Sequence, residues 1–222
     1  MATTSAPAFP RSLFLFSIFY GGMVCIAGVL ANKQVALGPL AVEAGIFAFL
    51  MLVVTSSATA ELFGRDTANR LVLIGFVPLV ASILLGLLVL SLPTAQDMPA
   101  DRRAAFDLMM GSTPRIWIAG IIAYGISQFL NVTIFSALRG RETEGGSARS
   151  GGTWLWLRAG IAGILSQIVD TVLFITIAFY NVFPIGDLLL GQALAKIVLS
   201  AVMVPPLVHL FVAYGRKLDA RS

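Results

Sequence analysis

Six apolar runs, each about as long as a bilayer crossing, fill most of the chain between Ser12 and Val212 and leave it little choice of environment. They fall at about 12–31, 39–60, 71–92, 116–138, 158–180 and 187–212. A helix of about twenty residues, rising ~1.5 Å per residue, crosses a ~30 Å hydrocarbon core. The expected fold class is therefore all-α, a polytopic membrane protein with six transmembrane helices. Of 222 residues, 58% are hydrophobic and 12% charged, about half the charged share of a soluble domain. Little length is left for a second unit, so residues 1–222 read as a single integral membrane domain.

The formal net charge of +4 does not point to nucleic acid, because the fifteen Lys and Arg sit between apolar runs and form no basic stripe. They report topology instead. With six spans both termini share a side. That side carries Arg11, Arg65, Arg70, Arg139, Arg141, Arg149, Arg158, Arg216, Lys217 and Arg221, against Lys33, Arg102, Arg103 and Arg115 opposite. The positive-inside rule then places both termini in the cytoplasm. A lone cysteine, Cys25, and a lone histidine, His209, exclude an intrachain disulfide and argue against a metal site. No cofactor is expected, and without a Walker motif neither is ATP hydrolysis by this chain.

Between the runs, Asn32 to Gly38 read as a polar turn and Pro39 opens the second helix, with Glu43 in its first turns. There a carboxylate reaches the interface and favours the positive helix end. The far end of that run, Thr55 to Glu61, holds four hydroxyls in five positions. These either line a polar cavity or bond their own helix backbone. Leu62 to Arg70 read as a compact loop, Asp101 to Met110 as a surface helix with Phe106, Met109 and Met110 turned inward, and Arg139 to Gly152 as a flexible loop. Pro205-Pro206 are expected to bend or break the last helix near Val204.

The most informative polar group is Asp170, in the middle of the fifth run. A carboxylate at the centre of a membrane helix costs roughly 2.5–3.5 kcal/mol on insertion scales. Ser127-Gln128-Phe129-Leu130-Asn131 recurs 39 positions later as Ser166-Gln167-Ile168-Val169-Asp170. Each block sets its Ser and its Asn or Asp at i and i+4, on one helical face. Because the two spans run in opposite directions, this spacing suggests an inverted repeat with a shared mid-membrane interface. Lys196, about 14 Å into its own span, falls near the depth of Asp170, about 18 Å into the preceding one. The two charges either neutralise one another or are separated by a ligand, in a polar cavity with Gln128, Asn131 and Gln167.

Ser57-Ala58-Thr59-Ala60-Glu61-Leu62-Phe63-Gly64 with Ala68-Asn69-Arg70, the paired blocks through Phe174, and Lys196 with Pro205 resemble the queuosine precursor transporter family, formerly described as vitamin uptake transporters. The resemblance runs from about Gly28 to Pro205. It implies an inner-membrane importer of 7-cyano-7-deazaguanine or its aminomethyl relative, not an enzyme. Ser57 and Asn131 stand where the family usually has Asp, which leaves Glu61 and Asp170 as the matching acids and adds Glu61 to the candidate substrate-binding set. A carboxylate can accept the ring N–H and 2-amino hydrogens of such a base, amides can meet its carbonyl edge, and Tyr124, Phe129, Phe135 or Phe174 can stack on it. The implied partners are a small deazapurine base and membrane lipid; a homo-oligomer or external energising subunits stay open. The alternative is a substrate-binding subunit of an energy-coupling-factor vitamin importer, which would co-purify with an ATPase. An intramembrane enzyme is disfavoured by the absence of a His pair for a metal and of a Gly-x-Ser-x-Gly elbow.

Overall fold

The computed structural model describes residues 10–31, 33–37, 40–111, 114–138, 153–181 and 185–220. The order is α1 (Arg11–Leu30), β1 (Gln34–Leu37), β2 (Leu40–Glu43), α2 (Gly45–Phe63), α3 (Arg65–Ser91), α4 (Ala100–Met110), α5 (Pro114–Ala137), α6 (Thr153–Phe179) and α7 (Gly186–Asp219). Six of these helices, all but α4, are long and apolar enough to cross a membrane. The chain is a multi-pass, all-α membrane protein.

Helix α2 is the axis of the bundle. In its most apolar window 72% of residues are buried, against 11% in α3, which presents Leu73, Ile74, Val77, Leu84 and Leu88 outward as a lipid-facing wall. The small and hydroxyl residues Thr55 to Ala60 permit this central place, because they let neighbouring backbones approach. Thr55 and Thr59 donate to the carbonyls of Met51 and Thr55, and so satisfy themselves within the helix.

Three sequence expectations are revised. The stretch before α2 is an antiparallel hairpin pairing Gln34 with Glu43 and Leu37 with Leu40, so the second span begins at Gly45 and Glu43 lies on a strand. Non-helical backbone is tolerated at membrane proteins' cores only where protein covers it or it lines a cavity, and this hairpin lies against α7. Residues 65–70 are not a loop: α3 starts at Arg65, separated from α2 by Gly64 alone. Gly64 has φ 85°, a backbone conformation that glycine adopts without steric cost, and Asp66 in the first turn suits the positive end of α3. Pro205 and Pro206 do not break α7, which runs unbroken from Gly186 to Asp219. Gly160 and Gly163 of α6 lack side chains where Pro205 and Val204 pass, which lets α6 pack closely against this stretch of α7.

The short helix α4 is present as expected, but every residue in it except Met110 is exposed, Phe106 and Met109 included, and Met110 alone is partly covered, near Gly86 of α3. The expected loop from Arg139 to Gly152 lies outside the described residues. At the opposite end of the bundle from α4, Asp219 clasps the start of α1. Its Oδ1 accepts from the Ser12 backbone N–H at 2.9 Å and its Oδ2 from the Ser12 hydroxyl at 2.6 Å. The first and last helices therefore meet at one face.

Candidate functional site

Two halves of the bundle interior differ in kind. The half on the terminal side is packed with polar groups, many of them bonded to one another. Asn131 Nδ2 donates to Ser56 Oγ at 2.9 Å and Ser57 Oγ at 3.1 Å, joining α5 to α2. Gln128 Oε1 accepts from the Tyr20 hydroxyl at 3.4 Å and Ser56 Oγ at 3.5 Å. The Tyr124 hydroxyl stands 3.1 Å from that of Tyr20, extending the chain of contacts. Nearer the terminal face, Arg158 Nη2 meets Glu61 Oε2 at 3.0 Å, with side chains 5% and 0% exposed, and the guanidinium lies 5.0 Å from the Phe135 ring centroid. Glu61 is thus held in an ion pair between α2 and α6.

The other half contains a cavity of about 340 Å³, within the ~300–1,000 Å³ usual for small-molecule sites. Its walls come from the end of α1, the start of α2, the end of α3, Met109 and Met110 of α4, the start of α5, the end of α6 and the start of α7. All of these are the helix ends remote from the Ser12–Asp219 clasp, so the cavity belongs to that half of the bundle. Five aromatic residues line it, Phe49, Trp117, Tyr124, Phe174 and Phe179.

Asp170 and Lys196 form its polar floor. Lys196 Nζ donates to Asp170 Oδ2 at 2.8 Å, with side chains 11% and 5% exposed, and Ser127 Oγ donates to Asp170 Oδ1 at 3.1 Å. The Lys196 ammonium also lies 5.9 Å from the Phe49 ring centroid, a cation–π distance. Burying two charges is costly unless the geometry is good and the spare lone pairs are met. Here the hydroxyl of the first Ser-Gln block meets the spare oxygen of the second block's carboxylate. Ser166 donates three residues back to the Gly163 carbonyl at 3.0 Å, and the corresponding Tyr124 carbonyl, 3.3 Å from Ser127 Oγ, is the alternative acceptor to Asp170 for that single hydroxyl hydrogen. The i+4 groups do not match, since Asn131 turns to α2 and Asp170 to α7.

Of the six residues singled out from sequence, the structure brings Asp170 and Lys196 together at the cavity wall. Gln128, Asn131, Gln167 and Glu61 sit in the packed half and are not among the cavity-lining residues. Gln167 Oε1 and Asn131 Oδ1 are buried there without a hydrogen-bond partner among the described residues. Among the aromatic candidates, Tyr124 and Phe174 face the cavity and Phe129 and Phe135 do not. Glu43, Gln192, Trp117 and Phe49 line it without having been singled out as site residues. A Gly-Pro pair flanked by Val35 and Val42 is a turn signal between strand formers, and would have placed Glu43 on a hairpin.

Comparison with known proteins fits this architecture. A family model described as "Putative vitamin uptake transporter" matches residues 43–210, three-quarters of the chain. The chain belongs to that family. The matched range starts at Glu43 and takes in both Asp170 and Lys196. A protein named "Probable queuosine precursor transporter" from Bacillus subtilis (strain 168) is 24% identical over 193 residues, covering 85% of this chain and 80% of its own. The "Queuosine precursor transporter" of Escherichia coli (strain K12) is 25% identical over 172 residues, covering 77% of this chain and 70% of its own. No solved structure matches.

Proposed function

We propose that this chain imports a queuosine precursor, 7-cyano-7-deazaguanine or its aminomethyl relative, across the inner membrane without chemically altering it. The observation that carries the reading is the buried Asp170–Lys196 pair on the floor of an aromatic-lined cavity built from one end of the bundle only. An intramembrane ion pair is expensive and is ordinarily kept for a pathway or a ligand. A carboxylate and an ammonium side by side match the donor and acceptor edges of a guanine-like base, and Tyr124, Phe49 and Phe174 offer faces for its ring. Names borne by the two relatives point to the same class of cargo.

With both termini cytoplasmic, by the basic-residue count, the cavity faces outward and the packed polar half with its Glu61–Arg158 pair closes the inner side. Gln128, Asn131, Gln167 and Glu61 then line the onward route rather than the first binding position. The test is genetic. In a strain that lacks both its own transporter and precursor synthesis, and is fed 7-cyano-7-deazaguanine or the aminomethyl base, this chain restores queuosine to tRNA. Failure to restore it at normal abundance in the membrane, with either base, would overturn the proposal.

A further inference from the structure

The floor of the cavity holds a third ionisable group that the pairing of Asp170 with Lys196 leaves over. Glu43, at the end of β2, lines the same cavity as both, and no hydrogen bond or ion pair engages its side chain among the described residues. Beside it is a small notch of about 10 Å³ between Glu43, Thr171, Phe174, Ile175, Gln192 and Lys196. That is near the smallest space that holds a water-sized group, and a primary ammonium is of that size. Lys196 borders the notch, but its charge is already met by Asp170 at 2.8 Å. The floor therefore carries one negative charge in excess. The other titratable groups on the cavity wall, Cys25 from α1 and Tyr124 from α5, do not offset it. Glu43 is half-buried, and loss of solvent raises its carboxyl above the ordinary carboxylate value despite the opposing pull of Lys196, with Asp170 adding to the rise. An anion so placed is poorly solvated and gains from a cation brought in by the ligand.

We infer that Glu43 is a specificity residue that receives the ammonium of a cationic, amine-bearing base, so that the cavity favours a deazaguanine with an aminomethyl arm over the neutral nitrile. This rests on the preceding reading of the cargo class and goes beyond it by choosing between its two members. The ring lies among Phe49, Tyr124 and Phe174 above the Asp170–Lys196 pair, and its amine arm enters the notch by Glu43 and Gln192. A nitrile can neither donate a hydrogen bond nor neutralise the carboxylate, and it leaves Glu43 as poorly solvated as before.

The experiment compares Glu43→Gln with the unchanged chain, measuring cell uptake and, on detergent-purified protein, binding of 7-aminomethyl-7-deazaguanine and 7-cyano-7-deazaguanine. Losing a charge-assisted contact should lower affinity and limiting-substrate uptake of the aminomethyl base roughly ten- to a hundred-fold. Handling of the cyano base should stay within about threefold. Both bases are measured on one preparation, so their ratio does not depend on how much protein reaches the membrane. If the unchanged chain takes up both bases and the variant keeps the same ratio, the role of Glu43 is overturned while the cargo class stands. If the aminomethyl base binds in a Glu43-dependent way but is not moved, the transport reading fails and the role of Glu43 stands. Absence of binding and uptake of either base by the unchanged chain overturns both.

Discussion

Replacing Lys196 by Met removes the ammonium 2.8 Å from Asp170 Oδ2 while keeping an unbranched side chain of similar length. The carboxylate left behind is 5% exposed and retains Ser127 Oγ at 3.1 Å as its only hydrogen-bond donor among the described residues. Removing one partner of a buried ion pair costs about 3–5 kcal/mol, most of it the penalty of the charge left unpaired. Adding Asp170→Asn removes that charge and keeps an amide oxygen for Ser127, so the double variant should recover most of the loss. Abundance and monodispersity of detergent-extracted protein measure the stability part, and uptake of labelled base at matched abundance measures the function. We expect the single variant to accumulate poorly and the double variant nearly normally, with uptake lost in both because the floor of the cavity has lost its recognition groups. Two results would refute the reasoning. Normal accumulation of the single variant would show that the pair is not paying a desolvation cost, and restored uptake in the double variant would show that the pair is structural and binds no cargo.

Other expectations follow from the same geometry. A Cβ at Gly75 would run into the Tyr124 hydroxyl and sit 2.7 Å from Tyr20 Cε1; Gly75→Ala should therefore cost about 1–3 kcal/mol of overpacking, read as lower thermal stability in detergent, and unchanged stability would show that the two rings move aside freely. In a Cys25→Ser background, cysteines placed at the exposed positions Ala100 and Ala220 should label with an impermeant thiol reagent from opposite faces, Ala100 from outside; labelling of both from outside would contradict cytoplasmic termini.

How far the sequence alone led depended on which interactions reach across the chain. The six spans were legible because lipid demands long apolar helices whatever their neighbours. The depth argument brought Asp170 and Lys196 together because rise per residue is fixed. Where the outcome turned on tertiary contact, the pattern misled. Arg65, Asp66 and Arg70 look like a loop by charge, yet they form the opening turn of α3 because Gly64 alone makes the corner. The two prolines of α7 look like a bend or a break, but the helix continues through them, packed closely against α6 at Gly160 and Gly163. Polarity marked Gln128, Asn131 and Gln167 as inward-facing but could not say whether they face a cavity or one another. Glu43 was read as an interface carboxylate because a helix was expected where the hairpin stands.

The clasp between Ser12 and Asp219 bears on how the protein is made. The bonded residues are 207 positions apart, so the contact cannot form until residue 219 has left the ribosome, after all six spans. Pro10 at the N-cap position gives helix α1 no side-chain cap, and the carboxylate of Asp219 accepts from the helix's second residue. A nascent chain that stalls before residue 219 can thread all six spans into the bilayer and still carry an unsealed first helix. Emergence of residue 219 is thereby registered as a bond between the first and last described helices, and a copy stalled before it leaves the opening turn of α1 unsealed and free to fray, the kind of site that proteolysis favours.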